Sequence, residues 1–505
     1  MVPVTGVGPA GDAERVTEDA VERHARRGVE EPPDPRRWRI LAVALSVGFM
    51  SLLDVTIVNV ALPSMRAGLD TSTGTIQWVV SGYALTFGLT LVSGGRLGDA
   101  FGRRRLMMIG LTGFLLASAC AGLAPSVGLL IVARLVQGAA AGLLTPQSSG
   151  LIQQLFRGAE RGRAFGLFGM TVALSSALGP VLGGAIIGIA GEENGWRYLF
   201  LINVPIGLVA LVAIARLVPG RPEPDETPGG ASDRPRLDVR GALLLGGGVF
   251  ALLYPLVSLE GGARLPLLLL VAAPPLLWGF VRWELSLTRN GGQPLLDIGL
   301  LRTLPGYANG LAVGTLYFTG FTGIFLVLSI FLQDGRDLSP LQTGLLLTPF
   351  ALGAAVTAPI AGRLVSRFDR QLTVGALLIM MSGVLAVALL VPDRSPNGLV
   401  WVLVGGLLLA GLGGGGVISP NFTLTLAEVP PRMGGAAGAA LQTGQRIGSS
   451  LGAALLVTVY ELANDSVATD RAVQAALGVS LLVLATALAM AIRAQRDAAS
   501  LADQS

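Results

Sequence analysis

Asp54 lies in the run Leu53-Asp54-Val55-Thr56-Ile57-Val58-Asn59-Val60-Ala61-Leu62-Pro63, the one carboxylate placed deep inside a long apolar segment of this chain. A lone acid in such surroundings is expensive and is retained where it does something; binding and releasing a proton is the chemistry open to it. The alternative is an acid held permanently by Thr56, Asn59 or another helix. Arg134 and Gln137, spaced i, i+3, share one face of a different apolar run. They are suited to receive or repel a proton from a nearby acid, or to form a fixed structural pair. Arg446, with Gln442 and Gln445 beside it, is a second arginine within an apolar run that needs a partner, a water-filled cavity or a reach to the interface. Asp99 with Arg103 and Arg104 occupies a glycine-rich connection, where a carboxylate can accept charge-assisted hydrogen bonds from an arginine or a helix end.

The elements that must position these groups follow from composition. With 52% hydrophobic and 13% charged residues, the 505-residue chain is far more apolar than a soluble protein, which carries about 25% charged residues. It reads as a polytopic, all-α membrane protein, with about fourteen apolar runs each long enough to cross a hydrocarbon core of roughly 30 Å. The expected spans open with Ile40–Leu62 and Ile76–Gly95, and include Ser126–Thr145, Ala164–Ile189, Leu265–Phe280 and Gly438–Tyr460. The expected organisation is a disordered cytoplasmic tail (1–37), a six-helix bundle (38–218), a cytoplasmic loop (219–240) and two inserted helices (241–283). A second cytoplasmic loop (284–306), a second six-helix bundle (307–493) and a cytoplasmic tail (494–505) complete it.

All 36 basic residues are arginine. With both termini inside, most of them fall in cytoplasmic segments, as the positive-inside rule requires of an even number of spans. The net charge of +4 therefore describes topology; the arginines are spread over short loops and form no nucleic-acid face. A chain without lysine has no phosphate-binding loop of the ATP-driven kind. The single histidine, His24, and single cysteine, Cys120, exclude a metal-ligand cluster and an intrachain disulfide. Cys120 reads as a packing residue, and the tail has no apolar region to serve as a cleavable signal.

An internal repeat organises the rest. Gly95-Arg96-Leu97-Gly98-Asp99-Ala100-Phe101-Gly102-Arg103 matches Gly362-Arg363-Leu364-Val365-Ser366-Arg367-Phe368-Asp369-Arg370 in register at Gly, Arg, Leu, Phe and Arg. Parallel repeats of this kind are related by an axis along the membrane normal, with substrate sites near the midplane between them. The loop resembles the G-x-L-x-D-x-x-G-R-[KR] signature of the major facilitator superfamily through Gly95, Leu97, Asp99, Gly102, Arg103 and Arg104. Leu53 to Pro63 is similar to the first-helix signature of its fourteen-helix drug:proton antiporter branch, and Arg134, Gln137 and Gly138 to its R-x-x-Q-G motif. Ser175, Gly179, Pro180, Gly183 and Gly184 resemble the fifth-helix antiporter signature G-x-x-x-G-P-x-x-G-G, with serine in place of the leading glycine. Trp196 to Gly207 resembles the start of the family's sixth helix.

The resemblance covers nearly the whole chain after the tail. It implies two six-helix bundles plus two inserted helices and a proton-coupled exporter of amphipathic drugs or antibiotics working by alternating access. Asp54 and Arg134 would couple protons. Gly95, Asp99, Gly102, Arg103, Arg104, Gly362, Arg363 and Arg370 would form a conformational latch, and the Ser175 to Gly184 group a flexing helix. Asn59, Trp78, Tyr83, Gln137, Tyr317, Gln442 and Arg446 are the expected pocket residues, each also readable as packing. No acid is expected to be buried in helices two to fourteen, which favours neutral, zwitterionic or weakly acidic substrates over dications. The expectation is no enzyme activity, no cofactor beyond the proton gradient and no nucleic-acid partner. A monomer in a bacterial inner or plasma membrane completes it, handling protons and small amphipathic substrates. An uptake symporter of the same superfamily, or a non-transporting receptor or structural bundle, remains the alternative.

Overall fold

The computed structural model describes residues 34–502 except 192, 221–237, 261–264, 293, 393–395 and 465–467. The expected tail up to residue 33 and most of the expected 219–240 loop lie outside the described residues. Those described are nearly all helical, the one local way to satisfy every backbone donor and acceptor in hydrocarbon.

In chain order the helices are α1 (Arg37–Gly68), α2 (Thr73–Phe101), α3 (Arg103–Gly122), α4 (Val127–Leu155) and α5 (Gly158–Ala190). Next come α6, in two pieces (Gly195–Leu201 and Asn203–Leu217), α7 (Val239–Glu260), and α8 (Ala273–Arg289) with a 3-10 lead-in over Leu265–Ala272. Besides short helical turns at Gly299–Thr303 and Pro431–Met433, six long helices follow: α9 (Pro305–Asp334), α10 (Pro340–Phe368), α11 (Arg370–Leu390), α12 (Pro396–Thr425), α13 (Gly434–Asn464) and α14 (Thr469–Ala502). Among the described residues 13 helices are long and apolar enough to cross a membrane, and the apolar part of α7, Val239–Pro255, is shorter. The chain is a multi-pass membrane protein.

Local chemistry sets the boundaries. Ser72 and Ser126 cap α2 and α4 by accepting the backbone N–H groups of Thr75 and Leu129, and Ser339 with Gln342 forms a reciprocal capping box on α10. Gly102 (φ 95°) turns α2 into α3 without a linker. Asp369 (φ 46°), its counterpart in the repeat, turns α10 into α11 in the same way. The two copies of the loop thus share a left-handed corner that sequence matching alone left as glycine against aspartate.

Several helices outrun the expected spans. α4 continues from Thr145 to Leu155 with Gln147, Ser148, Ser149 and Gln153 all buried. A run of apolarity ends at these polar groups, but the helix does not, because neighbouring helices accept hydrogen bonds from their donors: Gln147 Nε2 donates to Gly94 O (2.9 Å) and Ser148 Oγ to Ala44 O (3.2 Å). α8 extends through Arg289 into the expected 284–306 loop, and α14 through Ala502 into the expected tail. The longer α8 corrects the expectation of no buried acid after the first helix. Glu284 is fully buried there, its Oε2 accepting Leu296 N–H (3.3 Å), and Asp99 near the end of α2 is also buried.

α1 to α6 pack on one another around two apolar clusters, one centred on Phe114 and Leu144, the other on Trp196 and Phe200. α9 to α14 share a third, larger cluster around Phe331, Met380 and Leu403. A fourth joins the two groups at one end, where Phe165 stacks on Phe422 (centroids 5.5 Å apart). α7 packs against α8, α2 and α13. Leu253 of α7 fills the notch at Gly88 of α2, and Tyr254 tilts against Trp78.

Candidate transport site

Asp54 is buried in a polar cluster assembled from five helices. Arg134 on α4 pairs with its Oδ2 through Nη1, and the same nitrogen donates to Gln137 Oε1 (2.8 Å). Gln137 Nε2 (3.1 Å) and Asn203 Nδ2 (2.9 Å) both donate to Asp54 Oδ1. Both amides also donate to Ser118 Oγ on α3, which itself donates to Phe200 O (2.9 Å). Arg134 Nε donates to Val79 O (2.8 Å), and its guanidinium lies 4.1 Å above the Tyr83 ring. Tyr83 in turn donates to Ser51 O (3.0 Å). Asn203 reaches this cluster because α6 breaks at Ile202, so the side chain sits at the start of the second piece. Asp54, Arg134, Gln137, Ser118 and Asn203 are each at most 3% exposed.

Thr56 and Asn59, the local caps considered for Asp54, play no part in the cluster. The Thr56 hydroxyl donates to Leu53 O and Ser175 O (3.0 Å each), and Asn59 is exposed.

A separate cavity of about 450 Å³ lies between the two groups of helices. Leu52, Val55 and Thr56 of α1 line it, while Asp54 does not: positions 52, 55 and 56 share a helix face that 54 leaves by about 100° or more. Tyr317, Gln442 and Arg446 line the cavity. Asn59, Trp78, Tyr83 and Gln137 stand apart from it, which corrects their reading as pocket residues. Asn59 is exposed beyond the cavity-lining turn of α1, Trp78 packs on the α7 ring of Tyr254, and Tyr83 and Gln137 belong to the Asp54 cluster. The main aromatic wall keeps Tyr317 from the expected residues and adds phenylalanines that were not singled out. Phe321 stacks between Tyr317 (5.4 Å) and Phe350 (4.9 Å), with Phe325 edge-on to both phenylalanines.

At one end the two groups of helices are tied together. Asp99 Oδ1 accepts Arg103 Nη2 (2.8 Å) and Gly435 N–H (3.2 Å), while Oδ2 accepts Ala436 N–H (2.8 Å). The carboxylate therefore sits on the N-terminus of α13, where unpaired amides and the helix dipole favour an anion. Arg103 Nη2 also donates to Pro431 O (3.4 Å), and Gln153 Nε2 to Leu426 O (2.7 Å). Gly95 permits this approach: a Cβ there would meet Gly435 O at 2.4 Å. Gly362 plays the same part in the second copy, where a Cβ would meet Gly162 O at 2.3 Å. The second copy carries Ser366 in place of Asp99, and that hydroxyl donates back to Arg363 O (3.5 Å) in its own helix. Arg104 caps α6 by donating to Ala215 O, and Arg370 lies beside Gly306 at the start of α9.

On α5, Ser175 is buried and its carbonyl takes the Thr56 hydroxyl. A Cβ on Gly179 would fall 2.1 Å from Thr56 Oγ1, so α5 presses on α1 two residues from Asp54. Gly184 faces open space, while Gly183 is buried. The side chain of Pro180 lies outside the described residues.

The Major Facilitator Superfamily profile matches residues 44–453. The chain belongs to the major facilitator superfamily. Like other members of this superfamily it is a transporter-type protein and not an enzyme. It is 37% identical over 463 residues to the probable actinorhodin transporter of Streptomyces coelicolor, covering 91% of this chain and 76% of that protein. It is 40% identical over 432 residues to the puromycin resistance protein pur8 of Streptomyces alboniger, covering 85% and 82%. The tetracenomycin C resistance and export protein of Streptomyces glaucescens is 33% identical over 430 residues, covering 83% and 75%. The superfamily fold recurs in the human organic anion transporter MFSD10 (TM-score 0.64, 18% identity, covering 89% of this chain and 100% of that one). It recurs also in the proton:xylose symporter XylE (TM-score 0.60, 16% identity, covering 89% and 95%). At those identities the two structures speak to the fold alone.

Ser118 and Asn203 complete the polar cluster but were missed in the sequence. Asn203 had a usable signal, as a lone amide in the apolar stretch from Trp196 to Gly207. Ser118 had none, since serine is common in membrane helices.

Proposed function

We propose that this protein exports small amphipathic antimicrobial compounds across a bacterial cell membrane in exchange for protons, by alternating access. The observation that carries the reading is the separation of two sites in one molecule. An ionisable pair, Asp54–Arg134, is sealed within the first six helices, and an apolar cavity lies between the two halves. Relatives described as a transporter, a resistance protein and an export protein for antibiotics support the same reading.

Coupling then runs through α1. Asp54 faces Arg134 while Leu52, Val55 and Thr56 face the cavity, so a change in the pair that moves α1 reshapes the cavity wall. Protonating Asp54 releases Arg134 from its charge partner and leaves Gln137 and Asn203 donating to a neutral acid, a strong local bias on how α1, α4 and α6 pack. The arginine-rich latch end is assigned to the cytoplasm, which puts both termini inside and makes the described state the one closed to the cytoplasm. Monomeric action, with no cofactor beyond the proton gradient, completes the proposal.

The test is uptake of fluorescent dyes and aromatic antibiotics into inverted membrane vesicles. The reading requires substrate accumulation that an ionophore abolishes and that Asp54→Asn reduces to near background. Accumulation that survives collapse of the gradient would exclude proton exchange, and full activity in Asp54→Asn would move the proton site elsewhere.

A further inference from the structure

Two arginines lie within the membrane helices near the centre of the molecule, and they are treated differently. Arg134 has a carboxylate, an amide oxygen and a carbonyl around it. Arg446 lines the cavity, with its guanidinium 4.6 Å above the Phe87 ring and no hydrogen-bond or ion-pair partner among the described residues. Every other residue lining the cavity is uncharged. Gln442, a neighbouring amide, spends its Nε2 on Ser149 Oγ (3.4 Å).

A cation in such a site is stabilised only weakly by an aromatic face, against a much larger cost of removing it from water. The aromatic wall of Tyr317, Phe321 and Phe350, which lines the same cavity, offers a stacking surface for a flat ring system. The volume of about 450 Å³ is within the range that holds a drug-sized molecule.

Resting on the export reading above, we propose that the cavity selects planar aromatic substrates carrying an anionic group, a carboxylate or an acidic phenolate, and that Arg446 is the partner of that group. The substrate supplies the counter-charge that the protein withholds. Cationic amphiphiles are disfavoured, because no carboxylate lines the cavity and Arg446 repels them.

The test is equilibrium dialysis of full-length protein in lipid nanodiscs with three matched probes: anthraquinone-2-carboxylate, its carboxamide and a trimethylammonium analogue. Wild type is expected to bind the carboxylate about ten-fold more tightly than the carboxamide, and the cation most weakly. Arg446→Gln is expected to bring the carboxylate down to the level of the carboxamide, and Arg446→Lys to restore part of the difference. The wild-type ranking needs no variant, so a poorly folding Arg446→Gln does not blunt the test. Equal binding of all three probes, tightest binding of the cation, or no binding of any would each overturn the proposal. Gradient-driven uptake of dyes and antibiotics into inverted vesicles is read separately, so the export reading can stand while this one fails.

Discussion

At the residue scale, the Asp54–Arg134 pair, carried by α1 and α4, is held by hydrogen bonds to α2 and from α6 as well as from Gln137 of α4, which makes its removal a stability experiment as well as a functional one. Deleting one partner of a buried ion pair leaves an uncompensated charge and costs roughly 3–5 kcal/mol, whereas neutralising both leaves hydrogen-bonding amides in place. Asp54→Ala is therefore expected to lower the thermal unfolding midpoint in detergent more than the double variant Asp54→Asn/Arg134→Gln does. A double-variant loss equal to the sum of the losses of Asp54→Asn and Arg134→Gln alone would mean that the pair is uncoupled. Ser118→Ala removes a group that accepts from two amides, and is expected to cost about 1–3 kcal/mol in the same assay. Asp54, Arg134 and Gln137 were legible in the sequence because charged and amide groups are rare in apolar runs. Which of them would touch, and that Arg446 would be left unpaired, was not legible, since it depends on how α1, α4, α6 and α13 are rotated about their axes.

At the element scale, two glycines of the α5 motif predict opposite outcomes. Gly179→Ala drives a methyl into Thr56 and the α1 backbone, and is expected to lower both stability and transport. Gly184→Ala meets nothing within 4 Å, and is expected to leave transport intact while gaining up to about 1 kcal/mol from helix propensity. Thermal unfolding and vesicle uptake on both variants check the pair; equal damage from both would show that the motif bends as a unit. The sequence presented these glycines as equivalent, because spacing alone does not say which neighbour lies across each one. Helix ends were similarly obscured: α4 runs on past Thr145 through glutamines and serines that a bilayer would reject but a neighbouring helix accepts.

At the scale of the whole molecule, the closed end is held by Asp99 on the N-terminus of α13 together with Arg103, and by bare shape where Gly362 meets Gly162. Asp99→Asn keeps the shape and removes the charge. With a helix-end anion worth up to about 2 kcal/mol, the open state should gain relative population by up to roughly thirty-fold. Spin labels placed across the α2–α13 contact would report it as a longer distance, and an unchanged distance distribution would show that packing alone holds the end shut. The repeat made the two loops legible as counterparts, and their matching left-handed corners follow from it. That only one copy is electrically fastened was visible as Asp99 against Ser366, but its meaning depended on seeing α13 arrive there. The accessory helices add a mechanical asymmetry. α7 touches α2 in one half and α13 in the other, yet Leu253 is keyed into Gly88 of α2 while α13 offers it the flank of Ile447. When the halves rotate, a keyed joint travels and a flank slips, so α7 and α8 should ride as passengers of the first half, wiping across the second like a seal.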